Sequence, residues 1–240
     1  MYVSQKTCIP SEIETQRDSI DSRSLPSEGS AQRNKKSQAD AIEPFLSSAL
    51  NGKKAEENIN CIKLIKIVLE LASGFGEALV EVATRYPNCT FQPSDAQEQC
   101  INSLKKFTYG NILKPLHINV NSDEDWNQLK REYYDIAMCF NLIHLIPKLG
   151  THKIFKHSAN ILIPHSSFII FWGAFKKDGK YLSESDKKFD EDIQKRDSRW
   201  GLWDMNDLNL VAESYGFEQH SVAPQRKGNF MIVYKLVLSN

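Results

Sequence analysis

An α/β domain, in which five parallel strands are closed by an antiparallel C-terminal hairpin and helices cover both faces, is predicted by three features of this 240-residue sequence. First, residues 63–72 (KLIKIVLELA) are rich in aliphatic and β-branched side chains and stop at Ser73-Gly74. Helical spacing follows over 78–86, with Leu79, Val82 and Ala83 on one side. Such an apolar run reads as a strand buried on both faces. Second, short apolar segments recur at 89–92, 116–120, 135–140 and 167–173, separated by helix-like stretches at 96–107, 125–131 and 151–161. Strand and helix taking turns imply a parallel sheet with helical crossovers. Third, after a helix at 204–215, strand candidates at 217–222 and 230–238 are joined by a link, 223–229, too short for a crossover helix. They pair antiparallel if they pair at all.

Composition narrows the partners. Lys and Arg number 30 against 30 Asp and Glu, so no long-range field favours nucleic acid or an anionic membrane, and neither is expected as a default partner. No apolar stretch reaches the length of a membrane span, and the first residues lack the apolar core of a secretory signal. Cys8, Cys61, Cys89, Cys100 and Cys139 are odd in number, scattered and without a Cys-x-x-Cys pair. A reducing cytoplasmic setting is therefore expected, with the nucleus left open, and no disulfide framework or metal site. Residues 1–40 hold eight serines and Tyr2 as their only aromatic, so most of this stretch is expected to be a disordered tail. The domain is expected over 41–240, beginning with Ile42, Phe45, Leu46, Ala49 and Leu50 at helical spacing.

The chemistry concentrates where the first strand ends, at Glu70-Leu71-Ala72-Ser73-Gly74-Phe75-Gly76-Glu77. A strand, a glycine turn and a helix start make a ligand cradle, because glycine lets the backbone turn sharply and approach a bound group. A dinucleotide wants its pyrophosphate at the helix start and a third glycine three residues on. Leu79 occupies that position, and Glu70 and Glu77 flank the turn with negative charge. A sulfonium cofactor with a methionine ammonium and no phosphate reverses the charge argument. Asp95, ending the second strand, is placed to accept both ribose hydroxyls. The turn with Glu70 and Asp95 therefore favours S-adenosyl-L-methionine over NAD(P). Taken singly, a strand-end carboxylate, a tight turn and a helix-capping Asp95 have ordinary structural readings.

The residues Glu70–Glu77, Phe91-Gln-Pro-Ser-Asp95, Asn141-Leu-Ile-His144, Gly173-Ala-Phe-Lys-Lys-Asp-Gly179, Phe189-Asp190 and Arg196-Asp197-Ser-Arg-Trp-Gly201 resemble, in order, a class I methyltransferase-like family that includes methyltransferase-like protein 26. The likeness runs from about 31 to 234, and its Gln-Pro-Ser-Asp and Arg-Asp-x-x-Trp-Gly elements are more specific than the glycine turn. It implies a Rossmann-like seven-stranded sheet and S-adenosyl-L-methionine held by Glu70, Ala72, Ser73, Gly74, Gly76, Asp95, Asn119 and Asn141. It also implies a substrate side formed by Arg33, Asn34, Asp178, Arg196, Trp200 and Asn229. The sequence departs from the family pattern at Ala78 (commonly histidine), Asn119 (aspartate), Ala174 (proline) and Pro164-His165-Ser166 (Pro-Gly-Gly).

Methyl transfer needs alignment and water exclusion more than a fixed triad. Where an acceptor must lose a proton, His144 is the candidate base; packing among Leu142, Ile143, Leu145 and Ile146 is the alternative. The leading expectation is methylation of a small-molecule or protein acceptor. A non-catalytic binding or partner protein of the same fold stands second, and an NAD(P)-binding oxidoreductase third.

Overall fold

The computed structural model describes residues 30–47, 66–107, 110–129 and 133–238. Strand β1 (Lys66–Leu71) lies inside the sheet, flanked in parallel by β2 (Cys89–Asp95) and β4 (Ile136–Phe140). Outside β2 runs β3 (Leu116–His117), and outside β4 runs β5 (Phe168–Ala174), both parallel. The last strand, β7 (Asn229–Leu236), pairs antiparallel with β5, and β6 (Phe217–Pro224) closes the edge antiparallel to β7. The order β3-β2-β1-β4-β5-β7-β6 is the predicted seven-stranded sheet with its terminal hairpin. Strand order reverses between β1 and β4, and the crevice beyond their carboxyl ends is where open α/β sheets bind ligands.

Alternation along the strands divides the core in two, since successive side chains point to opposite faces. Val68, Phe91, Met138 and Trp172 meet helices α1 (Ser30–Ser47), α2 (Glu77–Arg85) and α3 (Glu98–Leu104) on one face. Leu69, Cys139, Phe171 and Tyr234 meet α4 (Lys148–Ile161) and α6 (Met205–Ser214) on the other. A further helix, α5 (Glu184–Arg196), is capped by Ser183, whose hydroxyl accepts from the Asp186 amide at 3.1 Å. Cys89, Cys100 and Cys139 are buried free thiols, and among the described residues no helix is long and apolar enough to cross a membrane.

Several segments differ from expectation for local reasons. α1 begins at Ser30, inside the stretch read as tail. Its polar composition hides a narrow apolar stripe, Ala39, Ile42 and Leu46, and such a stripe suffices for one packed face. Lys35 lies 3.9 Å from Glu81, Tyr86 donates to the Ala39 carbonyl, and Lys66 donates to the Phe45 carbonyl. α1 thus runs parallel to α2, with its N-terminal end at the glycine-turn edge of the sheet. The predicted strand at 116–120 shrinks to Leu116–His117. In place of a helix over 125–131 there is one 3₁₀ turn, Asp125–Gln128, because Ser122 and Asp125 bond each other and the Trp126 indole donates to the Val120 carbonyl. Residues 1–29, Ala49, Leu50, 63–65 and 130–131 lie outside the described residues.

Candidate cofactor and acceptor site

The turn after β1 is built by backbone geometry that the sequence anticipates. Ala72, Gly74 and Gly76 have φ of 54°, 59° and 94°, the left-handed region that glycine enters without penalty. Ala72 accepts that conformation because its neighbours lock it: the Ser73 amide donates to the Ser94 carbonyl at 2.8 Å, and the Ser94 hydroxyl donates to the Glu70 carbonyl at 2.8 Å. A Cβ on Gly76 would stand 3.2 Å from the Leu104 side chain, whereas one on Gly74 would meet open space. Gly76→Ala is therefore expected to cost about 1–2 kcal/mol of stability through backbone strain alone, read as a lower midpoint in urea unfolding; an unchanged midpoint would contradict the strain.

Glu70 is 2% exposed, and its Oε2 has no hydrogen-bond partner. Burial pushes its carboxyl up to about 8, the nearby Asp95 and Glu77 charges add to that, and Ser73 opposes it. A carboxylate so placed asks for a cation. Asp95 ends β2 with Oδ2 accepting from the Gly74 amide at 2.9 Å and Oδ1 from the Gln97 amide at 2.9 Å. Each oxygen keeps a second lone pair, so both can still accept from a diol. The cradle thus offers a buried acid, left-handed turn amides and a strand-end carboxylate within one β1–β2 unit, and the residues present fit an S-adenosyl-L-methionine cofactor. Leu79, at the third-glycine position of a dinucleotide fingerprint, is fully buried in the core.

Asn141 follows β4 with φ 54°, its amide donating to the Trp172 carbonyl at 2.7 Å. Asn119 is exposed; its Oδ1 accepts from the Asn121 amide and its own amide donates to Asp125. His144 is 4% exposed, lies edge-on to Phe189 at 5.2 Å, and occupies the space a Cβ on Gly173 would need, 3.2 Å from its Cε1. Burial pushes the imidazole down to about 4, with Asp190 pulling the other way. It is neutral near pH 7 and, in this conformation, covered by α5.

That cover is pinned by Asp190, fully buried, a residue to which the sequence reading gave no role. Its Oδ1 accepts from the Leu202 amide at 2.6 Å, and its Oδ2 from the Tyr181 hydroxyl at 2.8 Å and the Lys176 ammonium at 3.4 Å. The available signal was the spacing of Asp186, Asp190 and Ile193 on one helical stripe, all buried.

The residues expected on the substrate side scatter. Arg33 is exposed and Asn34 half-buried on the first turns of α1, at the glycine-turn edge. Arg196 lies 5.3 Å over the Trp200 ring at the end of α5. Asp178 is an exposed turn residue that accepts from Asn206, and the Asn229 side-chain amide donates to the Arg226 carbonyl; both support loops. His165 has φ 62°, and its amide donates to the Leu236 carbonyl. A cleft of about 560 Å³ lined by Asn121, Leu145, Ile146, Pro147, Lys153 and Trp200, among others, opens on the α4 side and includes none of the turn residues. Its size does not make it the site, because the orphaned carboxylate and left-handed turn lie at the β1–β4 crevice. Among the described residues no cluster of ligating side chains suits a metal.

Comparison with known proteins places this geometry. A family model described as "Protein of unknown function (DUF938)" matches residues 27–235. Among solved structures, an O-methyltransferase family protein from Burkholderia thailandensis superposes with a TM-score of 0.62 at 12% identity, covering 88% of this chain and 60% of its own. Human N-acetylserotonin methyltransferase in complex with SAM superposes with a TM-score of 0.66 at 11% identity, covering 87% and 54%. CalO1, a methyltransferase of calicheamicin biosynthesis in its SAH-bound form, gives 0.59 at 12%, covering 82% and 54%. The chain thus spans about half to three-fifths of these structures, and at such identities the likeness establishes a class I methyltransferase fold.

Proposed function

The chain belongs to the DUF938 family of proteins of unknown function, and from that premise we propose that it binds S-adenosyl-L-methionine at the carboxyl ends of β1 and β2 and methylates a small-molecule or protein acceptor. The observation that carries the proposal is Glu70: a buried carboxylate with an unpartnered oxygen directly under a left-handed glycine turn. Such a cofactor supplies a sulfonium methyl that passes to an acceptor lone pair while the S–C electrons return to sulfur. Glu70 holds the methionine ammonium, Asp95 accepts from the ribose hydroxyls, and Asn119 and Asn141 face the nucleoside. Helix α5, held by Asp190, keeps water from the reacting centre. Reaction needs an acceptor aligned with the methyl, and the proton leaves with solvent or, once α5 lifts, to His144.

A non-catalytic binding protein of the same fold remains the second reading, favoured by the burial of His144 and its depressed basicity. Calorimetry with S-adenosyl-L-methionine, S-adenosylhomocysteine and NADH tests the cofactor. Binding of the first two is expected, and NADH binding alone would overturn the proposal. Asp95→Ala is expected to weaken S-adenosylhomocysteine binding roughly tenfold or more, from two lost hydroxyl bonds near 1 kcal/mol each; unchanged affinity would remove Asp95 from the site. A labelled-methyl screen of metabolites and peptides separates enzyme from binding protein.

A further inference from the structure

Resting on the cofactor reading, we propose that the acceptor is anchored in a separate polar subsite under α1, formed by Gln38, Trp172 and Asp186, and that this subsite takes an ammonium group carried beside an oxygen acceptor. Three buried side chains there hold polar atoms without partners: Gln38 Oε1, Trp172 Nε1 and Asp186 Oδ2, on residues 1%, 2% and 5% exposed. A buried polar atom left unpaired costs about 1–3 kcal/mol, and three such atoms on α1, β5 and α5 call for a partner.

Each lies on, or next along the chain to, a segment that reaches the hairpin between β6 and β7. Asp186, in the first turn of α5, approaches Gly228 so closely that a Cβ there would lie 3.5 Å from both of its carboxylate oxygens. Ser37, beside Gln38, donates to Gln225 Oε1 at 3.4 Å, and the Gln225 amide donates to the Asn229 carbonyl at 2.7 Å. Asn229 pairs with Ala174 at the end of β5, and Trp172 pairs with Met231 two residues along the same ladder. Phe45, 5.4 Å from Phe168 at the start of β5, fixes the other end of α1 on this strand. Helix, strand and cap thus converge on residues 225–229, at the carboxyl edge of β5. His144, against Gly173 of that strand, lies on the side toward β4.

The chemistry of the three atoms names the ligand class. Gln38 and Asp186 offer acceptor oxygens, one of them on a carboxylate, and so call for a donor-rich cation. The Trp172 indole is a donor and calls for an oxygen. An amino alcohol satisfies all three, whereas a carboxylate of the same size meets Asp186 with like charge.

The test uses the full chain saturated with S-adenosylhomocysteine and three probes of one size: ethanolamine, ethylene glycol and glycolate. Titration is followed by the indole N–H resonances, with Trp172 assigned through Trp172→Phe. Ethanolamine is expected to shift the Trp172 signal and to bind roughly tenfold more tightly than either control, one such factor being the worth of a charge-assisted bond. Asp186→Asn and, independently, Gln38→Leu are expected to lose that preference while S-adenosylhomocysteine affinity stays unchanged. Equal response to the three probes, or a preference that survives both variants, overturns the subsite. Failure of S-adenosylhomocysteine to bind would instead overturn the cofactor reading, so the two failures are distinct.

Discussion

Glu70→Gln is expected to stabilise the unliganded protein near pH 8 and, in the same variant, to weaken S-adenosyl-L-methionine binding by roughly tenfold or more. Burial raises the folded-state carboxyl from 4.5 to about 8, so the folded protein holds this proton more tightly than the unfolded chain. The group's contribution to stability is therefore complete below about pH 4.5 and is lost as pH climbs toward 8. The loss has a limiting slope of about 1.4 kcal/mol per pH unit. Glutamine does not ionise and removes the slope. Urea unfolding of both proteins from about pH 5 to 8.5 reads the effect, and parallel curves would show that Glu70 is not the titrating group. Ligand binding carries the opposite sign. An ammonium selects the ionised carboxylate, so affinity in the native protein rises with pH up to about 8 and binding releases a proton. Calorimetry in two buffers of different ionisation enthalpy measures that proton; equal heats in both would contradict the pairing.

Asp190→Ala should be the most damaging single change in the cap. It strips the Leu202 amide, the Tyr181 hydroxyl and the Lys176 ammonium of one shared, fully buried partner, and leaves a cavity beneath Gly201. A loss of about 3 kcal/mol is expected, with Asp190→Asn retaining part of it through the surviving Leu202 bond. Unfolding midpoints measure the loss. Hydrogen exchange over residues 184–203 tells whether it is local: faster exchange there with the sheet still protected is the expected pattern, and uniform exchange throughout would mean that the cap and sheet unfold together. A looser cap also uncovers His144, so its imidazole should titrate nearer to its ordinary value.

Much of this architecture is legible from local pattern. The run at 63–72 with its Ser73-Gly74 stop marks β1 because a strand buried on both faces has nowhere to place polar residues. The short link at 223–229 reveals the hairpin because it has no length for a crossover. Glu70, Gly74, Gly76 and Asp95 were readable as a constellation since they sit at strand ends, where sequence position and spatial edge coincide. The start of α1 is hidden in the sequence because one stripe of Ala39, Ile42 and Leu46 is diluted by charged neighbours, and only α2 and the sheet beside it make that stripe a core face. The side chains of Asp178 and Asn229, expected on the substrate side, bond Asn206 and the Arg226 carbonyl, contacts made by loops whose paths no spacing rule determines.

By itself, then, the amino-acid sequence determined the alternating α/β order, the antiparallel closure and the charge character of the glycine turn, because periodicity, turn chemistry and strand-end position are properties of neighbours along the chain. Only the tertiary structure decided that Glu70 Oε2 is left without a partner, that His144 is sealed under Phe189, and that Gln38 Oε1, Trp172 Nε1 and Asp186 Oδ2 are buried without partners. Burial and hydrogen-bond satisfaction depend on which distant segments come to lie against one another, and the cost of an unpaired polar atom arises only once water has been excluded.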